Sequence, residues 1–307
     1  MRFVVIGLLL YALLFAGSEW LVRRNGHMNP IHKIETAQSV DYDWVILGAS
    51  HAMPLDFDGF NEVMQAATGL RILNLAGPGT GPLYNRFVLE HFFRSHRASH
   101  ILYVADAFAF RSPQWNEERL SDPKLLAKTP FSAAVAASLA RYVLQKGVDP
   151  RALLDYATGF SKINNRDRFR PDVWEGEATF DRVFKPSATA DRKRVDYLYP
   201  DAGEEGASGT RYLGELAELI GFARDRGADV TVIKPPLPSR FRKLLIDEAE
   251  FDGGLTSVVA SNGASILDLS ETMDDPRFYA DTDHLNRAGA AEFFQQHLRG
   301  ILLSDTP

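Results

Sequence analysis

Two short stretches, far apart in the chain, contain the residue types of nucleophilic catalysis. Ser50 comes directly after the apolar run 44–47 (WVIL) and two small residues. Asp281 and His284 lie near the end of the chain, and no other of the eight histidines has an acidic residue three positions before it. A serine hydroxyl needs a base to take its proton, and the base needs an acid that holds its tautomer. We therefore predict Ser50 as nucleophile, His284 as base and Asp281 as orienting acid.

Each of these three assignments has a competitor. Asp283 is the rival orienter, but adjacent side chains diverge, so a residue three positions before His284 reaches its ring nitrogen more easily, which favours Asp281. Ser50 could instead cap the helix that follows it. His284 could be a histidine at a helix start, bonded to a backbone carbonyl. His51 follows the serine, and we expect its side chain to point away from Ser50 and to line the pocket or cap a helix.

Acyl transfer also needs hydrogen-bond donors where negative charge develops, each worth about 3–4 kcal/mol when well placed. The backbone N–H of Ser50 can supply one donor. The glycine-rich stretch 75–81 (LAGPGTG) can supply another through Ala76 or Gly77, because small residues let a backbone amide approach the substrate closely. We expect Gly79 of the same loop to contact substrate. The competing interpretation is an ordinary glycine-rich turn; the glycine spacing does not fit a dinucleotide-binding loop.

Alternating strands and helices must position these residues. Apolar runs predict strands over 43–47, 71–75, 100–105, 229–234 and 264–269, and apolar residues at helical spacing predict helices over 60–67, over 216–223 and from Asn286 onward. Such alternation is typical of an open parallel sheet with helices on both faces, a three-layer α/β fold. The carboxyl ends of its strands form the edge where reactive groups gather.

One long stretch, about 111–211, breaks the alternation. It contains helical segments over 130–146 and 150–158, and then a polar region with Trp174 and several arginines, among them Arg192 and Arg194. We interpret it as a helical insertion that covers the carboxyl edge of the sheet. Its arginines would contact an anionic polymer or headgroup, or would lie on a solvated surface.

The serine after the first strand, and the aspartate and histidine of residues 281–286 (DTDHLN), resemble the SGNH hydrolase superfamily of GDSL-type lipases and esterases. The chain is most similar to membrane-anchored bacterial members that act on exported or cell-wall polysaccharides; residues 112–115 (SPQW) resemble a motif of the D-alanyl transfer protein of the teichoic acid pathway. The resemblance covers roughly 43–300. It implies a flavodoxin-like SGNH fold and a serine-dependent esterase or O-acyltransferase, with acetyl as the expected acyl group.

The sequence departs from the family after the third strand. The resemblance predicts Gly-x-Asn-Asp there, with the asparagine donating to the oxyanion, but this chain has Asp106, Ala107 and Phe108. An ionised Asp106 would repel the developing charge, so we expect Asp106, like His51, to bind substrate. The missing amide favours a competing hypothesis, a catalytically degenerate accessory or binding protein of a polysaccharide export complex. A phosphate-binding flavodoxin-like domain is a third hypothesis, which leaves Asp281 and His284 unexplained.

The N-terminal stretch 3–22 is almost uninterruptedly apolar and long enough to cross a bilayer. We predict a single-pass anchor over 1–24, a tether over 25–42 and the SGNH-like domain over 43–307. A cleaved signal peptide is the alternative, with residues 16–17 as a poor cleavage site. The resemblance implies an extracytoplasmic, periplasmic domain and a partnership with an integral-membrane acyltransferase that hands over the acyl group.

Composition excludes several classes of function. The formal net charge of −6 argues against nucleic acid as a partner. The absence of cysteine excludes disulfides and thiolate metal sites. An acidic cluster that includes Asp274, Asp275, Asp281 and Asp283 lacks the spacing of a calcium loop, so we expect no metal. No cofactor is required by the predicted chemistry, and the expected substrate is an acylated saccharide.

Overall fold

The computed structural model describes residues 2–200 and 207–304. At its centre is a five-stranded, all-parallel sheet in the order β2-β1-β3-β4-β5. The prediction of an α/β fold built on a parallel sheet is confirmed, and each strand lies within a few residues of its predicted position. The strands are β1 (Asp41–Gly48), β2 (Ile72–Asn74), β3 (Arg97–Val104), β4 (Asp229–Lys234) and β5 (Ser265–Asp268).

Helices cover both faces of this sheet, which explains the continuous apolar run in β1. Successive residues of a strand point to opposite faces. Val45 and Leu47 belong to one buried cluster, whereas Trp44 and Ile46 belong to a second. All four side chains are buried because a parallel sheet packs against helices on each side.

The helices alternate with the strands as predicted, apart from those of the insertion. Predicted helices 60–67 and 216–223 correspond to α3 and to part of α12, and Asn286 is the N-cap of α15. The helices are α1 (Arg2–Asn25), α2 (Pro30–Thr36), α3 (Phe60–Thr68), α4 (Pro82–Phe92), α5 (Glu117–Leu120), α6 (Pro123–Lys128), α7 (Ala133–Gln145), α8 (Pro150–Thr158), α9 (Phe160–Asn164), α10 (Glu175–Ala178), α11 (Ala188–Leu198), α12 (Ala207–Arg224), α13 (Ser239–Arg242), α14 (Glu248–Ser261), α15 (Arg287–Phe293) and α16 (Arg299–Ser304).

Helix α1 is long and apolar enough to cross a membrane or to serve as a signal sequence. Its second half packs on the insertion: the Tyr11 hydroxyl donates to the Thr158 carbonyl oxygen at 3.1 Å, and the Phe15 ring meets the Phe131 ring edge-on at 5.6 Å. The second half of α1 therefore contacts the folded domain.

The prediction of a tether over 25–42 is wrong. Asn29 caps α2 by accepting hydrogen bonds from two backbone N–H groups, and Pro30 occupies the first helical turn. Ile31 and Ile34 are then buried against the same core cluster as β1. This helix is fixed by its cap and by two apolar contacts, so the segment is part of the domain.

The insertion shares the core of the sheet and is not a separate unit. Its side chains Trp115, Tyr142, Tyr156 and Val195 are buried in the same cluster as Val45. The insertion was predicted over 111–211, of which residues 201–206 lie outside the described residues.

Candidate active site

Ser50 lies just beyond the carboxyl end of β1, and the backbone conformation two residues before it requires glycine. Gly48 has φ 146°, and an added Cβ would lie 2.8 Å from the Val104 carbonyl oxygen. After Gly48 the chain turns into a short 3₁₀ helix, Ser50–Leu55, whose N-cap position is Ala49. The Ser50 hydroxyl does not cap this helix, so it is available for another partner.

The structure brings the three predicted catalytic side chains together. The Ser50 Oγ lies 2.8 Å from His284 Nε2, and His284 Nδ1 lies 2.9 and 3.0 Å from the two carboxylate oxygens of Asp281. Backbone N–H groups of Asp283 and His284 donate to Asp281 Oδ1, which fixes the carboxylate. Ser50 and His284 are each only 4% exposed.

The residues after His284 explain how its loop is held. The N–H of Ala280 donates to the His284 carbonyl oxygen at 2.9 Å. The Asn286 side chain accepts from the Gly289 N–H at 2.9 Å, which caps α15. An added Cβ on Gly289 would meet the Phe278 carbonyl oxygen at 2.1 Å, so glycine is required. The loop therefore holds His284 against the start of the last helical segment.

Asp283, the rival orienter, is farther from the base and has other partners. Its Oδ1 lies 3.5 Å from His284 Nδ1. The Nε of Arg194 donates to both of its carboxylate oxygens at 2.9 and 3.1 Å, and His51 Nε2 lies 3.2 Å away. Burial would raise the pKa of Asp283, but Arg194 and the two histidines hold that pKa well below its usual value. Asp283 is thus a buried carboxylate that favours its ionised form near neutral pH.

His51 is a second buried histidine beside the first. Its ring centroid lies 4.7 Å from that of His284, and its Nδ1 donates to Asp106 at 2.5 Å. Burial lowers the pKa of His51, but Asp106 and Asp283 outweigh burial and raise the pKa to about 10. His51 is therefore an imidazolium near neutral pH. Both predicted substrate contacts, His51 and Asp106, are paired with each other.

The predicted oxyanion donors differ in their availability. Across the described ranges, the backbone N–H of Ser50 has no hydrogen-bond acceptor. The N–H of Ala76 donates to the Asn74 side chain at 2.9 Å, and that of Gly77 donates to the Gly48 carbonyl oxygen at 3.3 Å. Either amide would have to give up its bond to meet a substrate. Their oxyanion role stays a prediction.

Gly79, the predicted substrate contact of the same loop, has a packing role. It has φ 60°, and an added Cβ would lie 2.6 Å from the Trp115 ring. Trp115 in turn donates through Nε1 to the Leu198 carbonyl oxygen at 3.1 Å, at the end of α11. The glycine loop is therefore coupled to the insertion through one buried indole.

Two residues of the insertion contact His284, and the sequence did not predict either of these contacts. Arg194 of α11 reaches His284 Nε2 through Nη2 at 3.4 Å. The ring of Trp174 meets the His284 ring edge-on at 5.4 Å. Both belonged to a region noted for its arginines, but each lies about a hundred residues from His284 in the chain, and no spacing rule connects them. Only the fold brings them together.

His51, Asp283 and His284 offer ligand atoms within 4.8 Å of one another. The guanidinium of Arg194 already binds Asp283 and lies beside His284 Nε2, where a cation would have to sit. A protonated His51 has no lone pair to offer. This donor set suits proton transfer better than metal binding.

The site is tightly closed. A cavity of about 20 Å³ lies beside His51 and Asp106 and is lined also by Tyr199 and Lys234. That volume is comparable to a single water molecule. Ser50 itself is 4% exposed, so little of its side chain is open to solvent.

No protein-family model matches the chain, and no curated protein matches it.

Proposed function

We propose that this protein is a serine-dependent esterase or O-acyltransferase of SGNH type that works through an acyl-enzyme on Ser50. The observation that carries the proposal is the hydrogen-bonded series Ser50–His284–Asp281, with 2.8 Å at the first link and 2.9 Å at the second. In that geometry a neutral His284 donates through Nδ1 to Asp281 and presents its Nε2 lone pair to the serine hydroxyl.

The reaction follows from these positions. Ser50 Oγ attacks an ester carbonyl while its proton moves to His284 Nε2, and Asp281 stabilises the imidazolium that forms. His284 then gives the proton to the leaving alcohol, which leaves an acyl group on Ser50. Water or a sugar hydroxyl, activated by His284 in the same way, releases the acyl group. The choice of acceptor separates hydrolase from transferase.

The resemblance and the N-terminal helix favour a particular substrate class and location. We infer an acylated, O-acetylated saccharide of an exported or cell-wall polymer, processed outside the cytoplasm. An apolar α1 would hold the domain at the membrane, next to an integral-membrane acyltransferase that supplies the acyl group.

The alternative function is an accessory or binding protein on a degenerate hydrolase scaffold. The tight closure of the site favours it: Ser50 is 4% exposed. The intact hydrogen bonds at Ser50 and His284 oppose it, because a scaffold without chemistry gains nothing from a buried serine aligned with a histidine.

The proposal is tested by labelling the full chain in detergent with a fluorophosphonate, which reacts with activated serines, and by measuring hydrolysis of nitrophenyl acetate. We expect labelling of the wild type, and loss of labelling with a fall in kcat of about 10⁴–10⁶-fold in Ser50→Ala and His284→Ala. Ser39→Ala and His297→Ala are matched controls that should keep wild-type rates. A folded wild type that neither labels nor hydrolyses the ester would favour the accessory scaffold.

A further inference from the structure

We propose that Arg194, supplied by the insertion, is a further catalytic residue: its guanidinium donates a hydrogen bond to the oxyanion that forms when Ser50 attacks. This inference rests on the proposed acyl-transfer function. It assigns to the insertion a part in the chemistry, in addition to covering the site.

The position of Arg194 is the first support. Its Nη2 lies 3.4 Å from His284 Nε2, the atom that also lies 2.8 Å from Ser50 Oγ. A donor this close to the proton-accepting atom borders the space in which an attacked carbonyl must lie. Across residues 2–200 and 207–304, Nη1 of Arg194 has no hydrogen-bond partner, so the guanidinium retains N–H donors that could bind a substrate oxygen.

The shortage of other donors is the second support. The Ser50 N–H is open, but the amides of Ala76 and Gly77 already donate within the protein. Asp106 stands at the end of β3 and accepts from His51, so it offers no donor. A tetrahedral intermediate served by one amide alone would be poorly stabilised.

The rigid mounting of Arg194 is the third support. Its Nε donates to both oxygens of Asp283, and that carboxylate is held by the Thr282 hydroxyl at 2.6 Å and by His51 at 3.2 Å. The result is a series of alternating charges, Asp106, His51, Asp283 and Arg194, in which the first three residues are buried and Arg194 is half-buried. A cation fixed before the reaction begins stabilises developing charge without rearrangement.

The step balances without Arg194 changing its protonation. The bond from Ser50 Oγ to the carbonyl carbon forms, the hydroxyl proton moves to His284 Nε2, and the carbonyl π electrons move to oxygen. Arg194 stabilises that oxygen as an anion. When the carbonyl re-forms, the bond to the leaving alcohol breaks, and the alcohol oxygen takes the proton from His284.

The test compares Arg194→Ala, Arg194→Lys and the matched control Arg192→Ala, an exposed arginine of the same helix. With nitrophenyl acetate and the full chain, we expect kcat of Arg194→Ala to fall by about 10²–10³-fold while KM changes little. Arg194→Lys should recover part of the loss, and added guanidinium ion at low millimolar concentration should partly restore Arg194→Ala. Arg192→Ala should match the wild type.

Three outcomes distinguish failure of this inference from failure of the proposed function. An active wild type together with an Arg194→Ala variant of unchanged kcat would refute the role of Arg194 alone. A loss of kcat that lysine and guanidinium both fail to rescue, with a matching loss of thermal stability, would identify Arg194 as a support for Asp283 only. An inactive, unlabelled wild type would refute the proposed function itself.

Discussion

Two histidine–carboxylate pairs lie side by side at the edge of the sheet, with ring centroids 4.7 Å apart, yet they differ in their surroundings. His284 pairs with Asp281, whose side chain is 42% exposed, and turns its other nitrogen to Ser50. His51 has a carboxylate on each nitrogen, with side-chain exposures of 2% for Asp106 and 0% for Asp283. A histidine between two buried carboxylates stays protonated and cannot act as a base. In the function proposed above, this difference favours His284 over His51 as the proton acceptor.

Replacing a carboxylate by an amide in each pair gives the largest expected difference between the two pairs. We expect Asp281→Asn to lower kcat by about 10³–10⁴-fold, because the asparagine no longer holds the tautomer that presents a lone pair to Ser50. Thermal unfolding should change little, since Asp281 is partly exposed. Ester hydrolysis and calorimetry on the same preparation measure both effects.

Asp283→Asn is the control. We expect it to lower the stability of the fold, whereas Asp281→Asn lowers kcat. Asp283→Asn leaves buried His51 and half-buried Arg194 without their shared carboxylate, at a cost of about 3–5 kcal/mol of unfolding free energy. If Asp283→Asn instead stayed stable and lost activity as severely as Asp281→Asn, Asp283 would be the orienting acid.

The charge of His51 is tested by the pH dependence of stability. The pKa of His51 in the folded state is raised to about 10, above its value in the unfolded chain. The stabilisation that protonated His51 gives to the fold is therefore complete below about pH 6.5 and disappears as pH rises through 10. We expect the unfolding free energy to fall by about 3 kcal/mol more between pH 7 and 10 in the wild type than in His51→Gln. Urea unfolding at a series of pH values measures this difference. Parallel curves for the two proteins would mean that His51 is neutral in the fold.

Long-range patterns in the sequence predicted the sheet, but short local signals were misjudged. Buried strands such as β1 are short, continuous apolar runs, and the run 44–47 is bounded by Asp43 and Gly48. The helix α2 has only seven residues, and its evidence is one cap at Asn29 and two isoleucines. A segment that short looks like a tether until the surface that buries Ile31 and Ile34 is known.

The candidate site divides in the same way. Ser50, His284 and Asp281 could be predicted because strand ends and a three-residue spacing constrain where they lie. The partners of His51 could not, since Asp106 and Asp283 meet it only through the fold. In the 3₁₀ helix at Ser50–Leu55, successive side chains are rotated by about 120° about the helix axis. The side chain of His51 therefore points in a different direction from that of Ser50 and still contacts His284.

The smallest expected effect concerns the insertion residue that touches only one of the two histidines. The Trp174 ring lies edge-on to His284 and 5.7 Å from the Phe57 ring. We expect Trp174→Ala to lower the unfolding free energy by about 0.5–1.5 kcal/mol and to raise the rate of fluorophosphonate labelling of Ser50 a few-fold, because it removes part of the cover over the triad. Time-resolved labelling measures the rate.

Phe169→Ala is the matched control, because it removes an aromatic side chain that is 64% exposed in the same segment of the insertion. It should leave the labelling rate of Ser50 unchanged. If Trp174→Ala also labelled at the wild-type rate, substrate would have to reach Ser50 from the side of the glycine loop. The Trp115 contact with Gly79, and not Trp174, would then limit entry.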